Sequence, residues 1–282
     1  MKRSFLLWII AIVLTVLTAA YQRMTGPTYP LSGEVNFNGK TIKYSLDRSH
    51  GGEHDHQIKI KTADKEINGI LEWKRYKTND EWNATEMKFD NGFLKGKLPH
   101  QPPAGKLMYR VTLEKNSEKI FLNNNHHVVI RFKGDVPIFI IIPHVLLIFL
   151  AMLFSTRTGL EYFNKEPDYK KLTYYTFGLL ILGGMIFGPI MQKYAFDAFW
   201  TGVPFGIDLT DNKTLIALIG WVIALIALKK SANPQRWIIF ASILMFLIYL
   251  IPHSVLGSEL DYNQMDKQKN KIEIQNNNHL NE

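Results

Sequence analysis

The chain has 282 residues, no cysteine and a formal net charge of +8. Without cysteine there are no disulfide staples, thiolate metal sites, iron–sulfur clusters or c-type haem attachments. The positive charge gathers in short loops beside apolar runs and forms no Lys/Arg stripe with interleaved aromatics, which argues against nucleic acid as a partner.

The chain opens with Met1-Lys2-Arg3 and an apolar run, Phe5–Ala20, that ends in Thr18-Ala19-Ala20. This describes either a cleavable signal peptide or a retained anchor over residues 1–21, and the length of the run favours the anchor. On both readings the residues that come after it are carried across a membrane.

From Tyr29 to Asp135 the character changes to short alternating runs separated by turn signals, among them Asn38-Gly39, Gly51-Gly52, Asn91-Gly92 and Pro102-Pro103-Ala104-Gly105. The runs are Gly33–Phe37, Thr41–Leu46, Gln57–Lys61, Ile67–Tyr76, Glu86–Phe89, Phe93–Leu98, Met108–Glu114, Glu118–Leu122 and Val128–Phe132. Period-two alternation, as in Ile58-Lys59-Ile60, marks half-buried strands. Seven to nine such strands predict an all-β, immunoglobulin- or fibronectin-III-like sandwich over residues 28–135. Tyr109, just after the Pro/Gly corner, is a candidate for the tyrosine-corner role. Within this region Ser49–His56 brings together His50, His54 and His56, an imidazole set suited to zinc, copper or nickel with Glu53 or Asp55 assisting. The bland alternative is a solvated hairpin tip, since an isolated His-x-His has little specificity.

Four more apolar segments follow: Val136–Ser155, Leu172–Met191, Thr214–Leu228 and Trp237–Ile251. About 20 helical residues cross a bilayer core of about 30 Å. The first two segments reach that length. The other two are shorter but apolar all round, so they need thinning of the bilayer or burial in a bundle. Residues 136–255 are thus expected to form an all-α four-helix transmembrane bundle. Gly183, Gly184 and Gly188, and Ala217, Gly220 and Ala224, suit close helix packing.

Loop charges give an orientation. Lys2 and Arg3, then Arg157, Lys165, Lys170 and Lys171, then Lys229, Lys230 and Arg236 mark the cytoplasmic side. Residues 21–135, the 192–213 loop and the C-terminal tail are then extracytoplasmic. The polar, Asn-rich tail, residues 256–282, is expected to be disordered.

Three further features bear on chemistry. His144 follows Pro143 within an apolar run, about seven residues and roughly 10 Å deep, where an ionisable side chain is costly. It either satisfies the carbonyl that Pro143 frees or serves as a ligand or proton carrier. His253 follows Pro252 at the outer end of the last segment, so the two histidines are candidate haem b ligands, against which their depth offset argues. The loop Gln192–Lys213 combines Tyr194, Phe196, Phe199 and Trp200 with Asp197, Asp208 and Asp211. Those acids either cap the next helix, Asp211 best placed to do so, or join His253, Glu259 and Asp261 around an outward polar site.

The stretches Leu98-Pro99-His100-Gln101-Pro102-Pro103-Ala104-Gly105-Lys106-Leu107 and Gln192–Lys213 resemble an uncharacterised family of bacterial multi-pass membrane proteins. The resemblance covers most of the chain. It implies an extracytoplasmic sandwich, a C-terminal bundle and a bacterial cytoplasmic membrane, and it carries no activity.

The favoured function is a non-enzymatic membrane protein whose outer sandwich binds a protein partner or steadies a complex within the lipid bilayer. The alternative is a redox or proton-handling protein holding haem b or a divalent metal through His144 and His253. A transporter ranks third, because ionisable residues inside the spans are almost confined to His144 and no inverted repeat is visible.

Overall fold

The computed structural model describes residues 2–279. The fold is mixed: a large, barrel-like β-sheet region and several apolar helices. The chain divides into two compact units. One comprises the N-terminal helix and Val136–Ser258. The other comprises Thr28–Asp135 and the chain from Glu259 onward.

All nine alternating runs overlap strands. β1 (Leu31–Phe37) and β2 (Lys40–Leu46) form a hairpin in which Leu31 faces Leu46. Its turn residues Asn38 and Gly39 have φ of 48° and 71°, the positive values that a two-residue hairpin turn requires. The remaining strands are β3 (Ser49–Gly51), β4 (His56–Lys61), β5 (Asn68–Arg75), β6 (Asn83–Asp90), β7 (Phe93–Leu98), β8 (Lys106–Lys115), β9 (Glu118–Phe121) and β10 (Val128–Lys133). They pair in the order β3-β10-β8-β5-β6-β7-β4, with β9 also on β8.

The ladder stays continuous because β6 changes neighbours along its length. Asn83–Met87 pair with β5, whereas Lys88–Asp90 pair with β7. β6 thereby passes from one half of the ladder to the other, as strands that switch sheets do at the corners of a sandwich. Inward-facing residues, among them Ile58, Ile60, Leu71, Leu94, Val111, Leu113 and Phe132, form one core. Tyr109 is fully buried there, and its hydroxyl donates to the Asp47 carbonyl at 2.8 Å. A tyrosine corner bonds a few residues upstream, whereas this bond spans 62 residues and ties β8 to the β2–β3 link.

The tail corrects the expectation of disorder. Tyr262–His279 form a helix, α7, whose start is fixed within the sheet unit. Tyr262 is 2% exposed and donates to Gln101 Oε1 at 2.9 Å. Asp266 accepts two hydrogen bonds from Arg75, at 3.0 and 2.8 Å, and Glu259 pairs with Lys77 and Lys106. A polar tail gains order here from ion pairs and one buried aromatic, which composition does not register.

In the helical unit, α1 (Lys2–Thr25), α2 (Ile138–Leu160) and α5 (Leu209–Lys230) are each long and apolar enough to cross a membrane. So is the stretch Tyr169–Phe196, made of α3 (Tyr169–Leu180), a π-helical segment (Ile181–Phe187) and α4 (Gly188–Phe196). α6 (Pro234–Leu250) is apolar but has 17 residues. Gly183 explains part of the packing: a Cβ there would lie 2.9 Å from the Ile148 nitrogen of α2. α2 and α5 both run past the apolar segments seen in the sequence and bring Arg157, Asp211 and Lys213 into helix. The spans therefore hold more ionisable groups than His144.

Candidate functional site

α4 ends at Asp197, whose φ of 60° reverses the chain into an irregular loop that reaches α5. The first carboxylate of the loop, Asp197, is exposed and paired with Lys193 at 2.6 Å. Its side chain stays at the surface.

The other two acids are 7% exposed each, and their roles are the reverse of those expected. Asp208, not Asp211, is the N-cap of α5, accepting from the Thr210 and Asp211 nitrogens at 2.7 and 3.4 Å. Its second oxygen accepts from the Ser258 nitrogen and hydroxyl at 2.7 and 2.9 Å. Burial pushes this carboxyl's pKa up, but the bonds from Ser258, Thr210 and Asp211 outweigh burial and hold it below the usual carboxylate value.

Asp211, in the first turn of α5, reaches back to the loop. Its Oδ2 accepts from the Thr201 nitrogen at 2.6 Å, the Gly202 nitrogen at 3.0 Å and Gln192 Nε2 at 3.1 Å. Asn212 Oδ1 accepts from the Val203 nitrogen at 2.8 Å. Glycine is needed at 202, where a Cβ would lie 2.7 Å from both Asn212 Oδ1 and Asp211 Cβ. Lys213, 6% exposed, donates to the Ile251 carbonyl at 2.9 Å and so places its charge at the negative end of α6. Each of these buried polar groups has a partner, which fixes the loop in one conformation.

Side chains on the fixed loop point into open space. Phe205 and Ile207 are each 81% exposed, and Phe199 and Val203 are more than half exposed. Leu256 is also exposed, on the 254–258 segment that Asp208 and Thr201 hold through Ser258. The arrangement turns its hydroxyls onto its own carboxylates, Ser258 Oγ donating to Asp208 Oδ2 at 2.9 Å and Thr201 Oγ1 to Asp211 Oδ2 at 3.3 Å. It presents apolar surface on a rigid support. Polar residues named in the sequence thus act as positioning groups, and the apolar residues between them carry the surface.

The other candidate residues lie elsewhere. His144 sits on α2 with Nδ1 3.0 Å from the Gly183 carbonyl oxygen. A carbonyl only accepts, so Nδ1 bears the proton. Gly183 O also receives the Gly188 N–H within the π-helical segment. His144 therefore serves a neighbouring helix, not the carbonyl freed by Pro143. His253 lies in the turn after α6, whereas Glu259 and Asp261 belong to the sheet unit, so the proposed gathering of Asp197, Asp208, Asp211, His253, Glu259 and Asp261 divides between the two units.

His50, His54 and His56 do converge. His56 Nδ1 is 3.1 Å from His50 Nδ1, and His50 Nε2 is 2.9 Å from the His54 carbonyl oxygen. That carbonyl requires the proton on His50 Nε2, so neutral His50 accepts at Nδ1 from His56. The rings are turned on one another and on backbone. No group of three or more His, Asp or Glu among the described residues is placed to hold a metal ion.

Sequence reasoning missed a second buried polar centre. Arg157 and Glu161, each 2% exposed, form an i,i+4 ion pair. Glu161 Oε2 also accepts from Asn164 Nδ2 and the Asp168 nitrogen, both at 3.0 Å. The Arg157 guanidinium lies 5.3 Å from the Trp8 ring centroid, and its Nη2 donates to Ser4 Oγ. In the sequence Arg157 counts only as one loop charge. The signal available was the i,i+4 Arg–Glu spacing beside an apolar run.

No protein-family model, no curated protein and no solved structure matches the chain.

Proposed function

We propose that this chain is a non-enzymatic protein of the bacterial cytoplasmic membrane that docks a partner protein in the same bilayer. The partner contacts the apolar loop between α4 and α5, and the sheet unit stands on the extracytoplasmic side. Orientation rests on the clustering of Lys2, Arg3, Lys165, Lys170, Lys171, Lys229, Lys230 and Arg236 at alternate helix ends and connections, Arg157 being paired with Glu161.

One observation carries the reading: Phe205 and Ile207 are 81% exposed on a backbone anchored by carboxylates that are 7% exposed. Irregular backbone does not face hydrocarbon, because its polar groups would go unpaired. Apolar side chains on such a backbone seek protein or the headgroup layer. A preorganised loop loses little entropy on docking, which favours protein.

Blue-native electrophoresis of membranes solubilised in mild detergent tests this. The wild-type chain should migrate in an assembly larger than itself, and Phe205→Ser/Ile207→Ser should release it to a smaller species. Identical migration of both forms would refute the proposal.

A further inference from the structure

The far end of α5 carries an uncompensated positive region. Lys229 and Lys230 close α5, and Arg236 lies in the first turn of α6. From Asn212 to Ser258 the sequence contains no acidic residue. No ion pair engages these three cations among the described residues.

The two lysines have an ordinary explanation, since cations complement the negative C-terminal end of a helix. Arg236 has none. It stands at the positive end of α6, where the first turn carries no acid and the N-cap Asn233 makes no side-chain capping bond. The positive end of α6, Arg236 and the two lysines raise the potential here, the negative end of α5 works against them, and no acidic residue lies in the segment itself.

Beside them is an open groove of about 410 Å³ between α5 and α6, lined by Ile223, Ile226, Ala227, Lys230, Ser231 and Trp237. Its lining combines aliphatic side chains with an ammonium, a hydroxyl and an indole. Of the helices that form it, α5 is long and apolar enough to cross a membrane and α6 is a shorter apolar helix, so an acyl chain is the apolar group at hand.

We propose that this groove is a site for one anionic phospholipid. Its phosphate lies against Lys230 and Arg236, and one acyl chain lies along Ile223 and Ile226. The headgroup supplies the negative charge that the segment lacks, and long basic side chains reach the headgroup level readily. This site is distinct from the loop between α4 and α5 and does not depend on a protein partner. It does depend on the helices spanning a bilayer.

Native mass spectrometry of the full chain in mild detergent tests it, with phosphatidylglycerol or phosphatidylcholine added as probe. The wild-type chain should retain phosphatidylglycerol at least about tenfold better, the equivalent of about 1.4 kcal/mol. The Lys229→Gln/Lys230→Gln/Arg236→Gln variant should lose that preference. Ile226→Trp, which fills the groove and leaves every charge in place, should also lower retention. Lys170→Gln/Lys171→Gln, which removes charge from the first turn of α3, should change nothing. Equal retention of the two lipids would overturn the proposal, as would retention indifferent to Ile226→Trp or equally sensitive to Lys170→Gln/Lys171→Gln. Alkaline extraction of native membranes checks membrane integration separately, so failure of the spanning assignment is distinguishable from failure of the lipid site.

Discussion

The Asp211 carboxylate accepts hydrogen bonds from the backbone nitrogens of Thr201 at 2.6 Å and Gly202 at 3.0 Å, which ties the first turn of α5 to a loop nine and ten residues earlier. The tie converts an irregular segment into a fixed support for Phe205 and Ile207. Asp211→Ala would leave two amides without acceptors, at a cost on the order of 1–3 kcal/mol each if they stay buried. The loop should therefore open and let water satisfy them. Hydrogen exchange read by mass spectrometry should show faster exchange over residues 199–207 and unchanged protection in α2 and α6. Gly202→Ala should act in the same direction through steric displacement.

The Arg157–Glu161 pair gives a second prediction. Breaking a buried ion pair on one side strands the other charge, costing about 3–5 kcal/mol, whereas apolar replacement of both members is often neutral. Arg157→Met should thus lower the melting temperature in detergent strongly. Arg157→Met/Glu161→Met should recover much of the loss, tempered by the lost bonds from Asn164 and Asp168 to Glu161.

These two cases mark what the sequence conveys. Strands were legible because alternation, as in Ile58-Lys59-Ile60, follows directly from a two-residue repeat with one buried face. Apolar helices were legible from length. The site was legible in part: Asp208 and Asp211 stand out in the sequence, but with their roles exchanged, because capping depends on where the helix starts to within one residue. Arg157 and Lys213 fall outside the apolar runs, since hydropathy drops at a charge whether or not that charge is paired. Tyr262 was missed because its partner Gln101 is 161 residues away, and a polar tail has no local signature of such a contact.

The tail supplies a third prediction. Tyr262→Ala removes a buried ring and its bond to Gln101, and Asp266→Asn removes the charge facing Arg75. Limited proteolysis should cut within residues 262–279 faster in both variants, and faster in Tyr262→Ala, since burial outweighs a partly exposed ion pair.

The histidine cluster makes stability depend on pH. Burial, together with the neighbouring His50, lowers the pKa of His56 against the opposing pull of Asp47. The unfolded chain, with an ordinary value of about 6.5, then binds more protons than the folded one as pH falls through that value. Stability of the sheet unit should be full above pH ~6.5 and should decline as pH falls towards the lower, folded value. Exchange of the β4 amides at graded pH should follow this curve, and His56→Gln should flatten it.

Whether the loop between α4 and α5 meets protein is tested most directly by photo-crosslinking from position 205 in native membranes. A photoreactive residue replacing Phe205 should yield a discrete crosslinked protein band, which Asp211→Ala should diminish and the same probe at the α2 position Ile138 should not produce. Crosslinking from position 205 to lipid alone, or a band indifferent to Asp211→Ala, would contradict a protein-docking role for the loop.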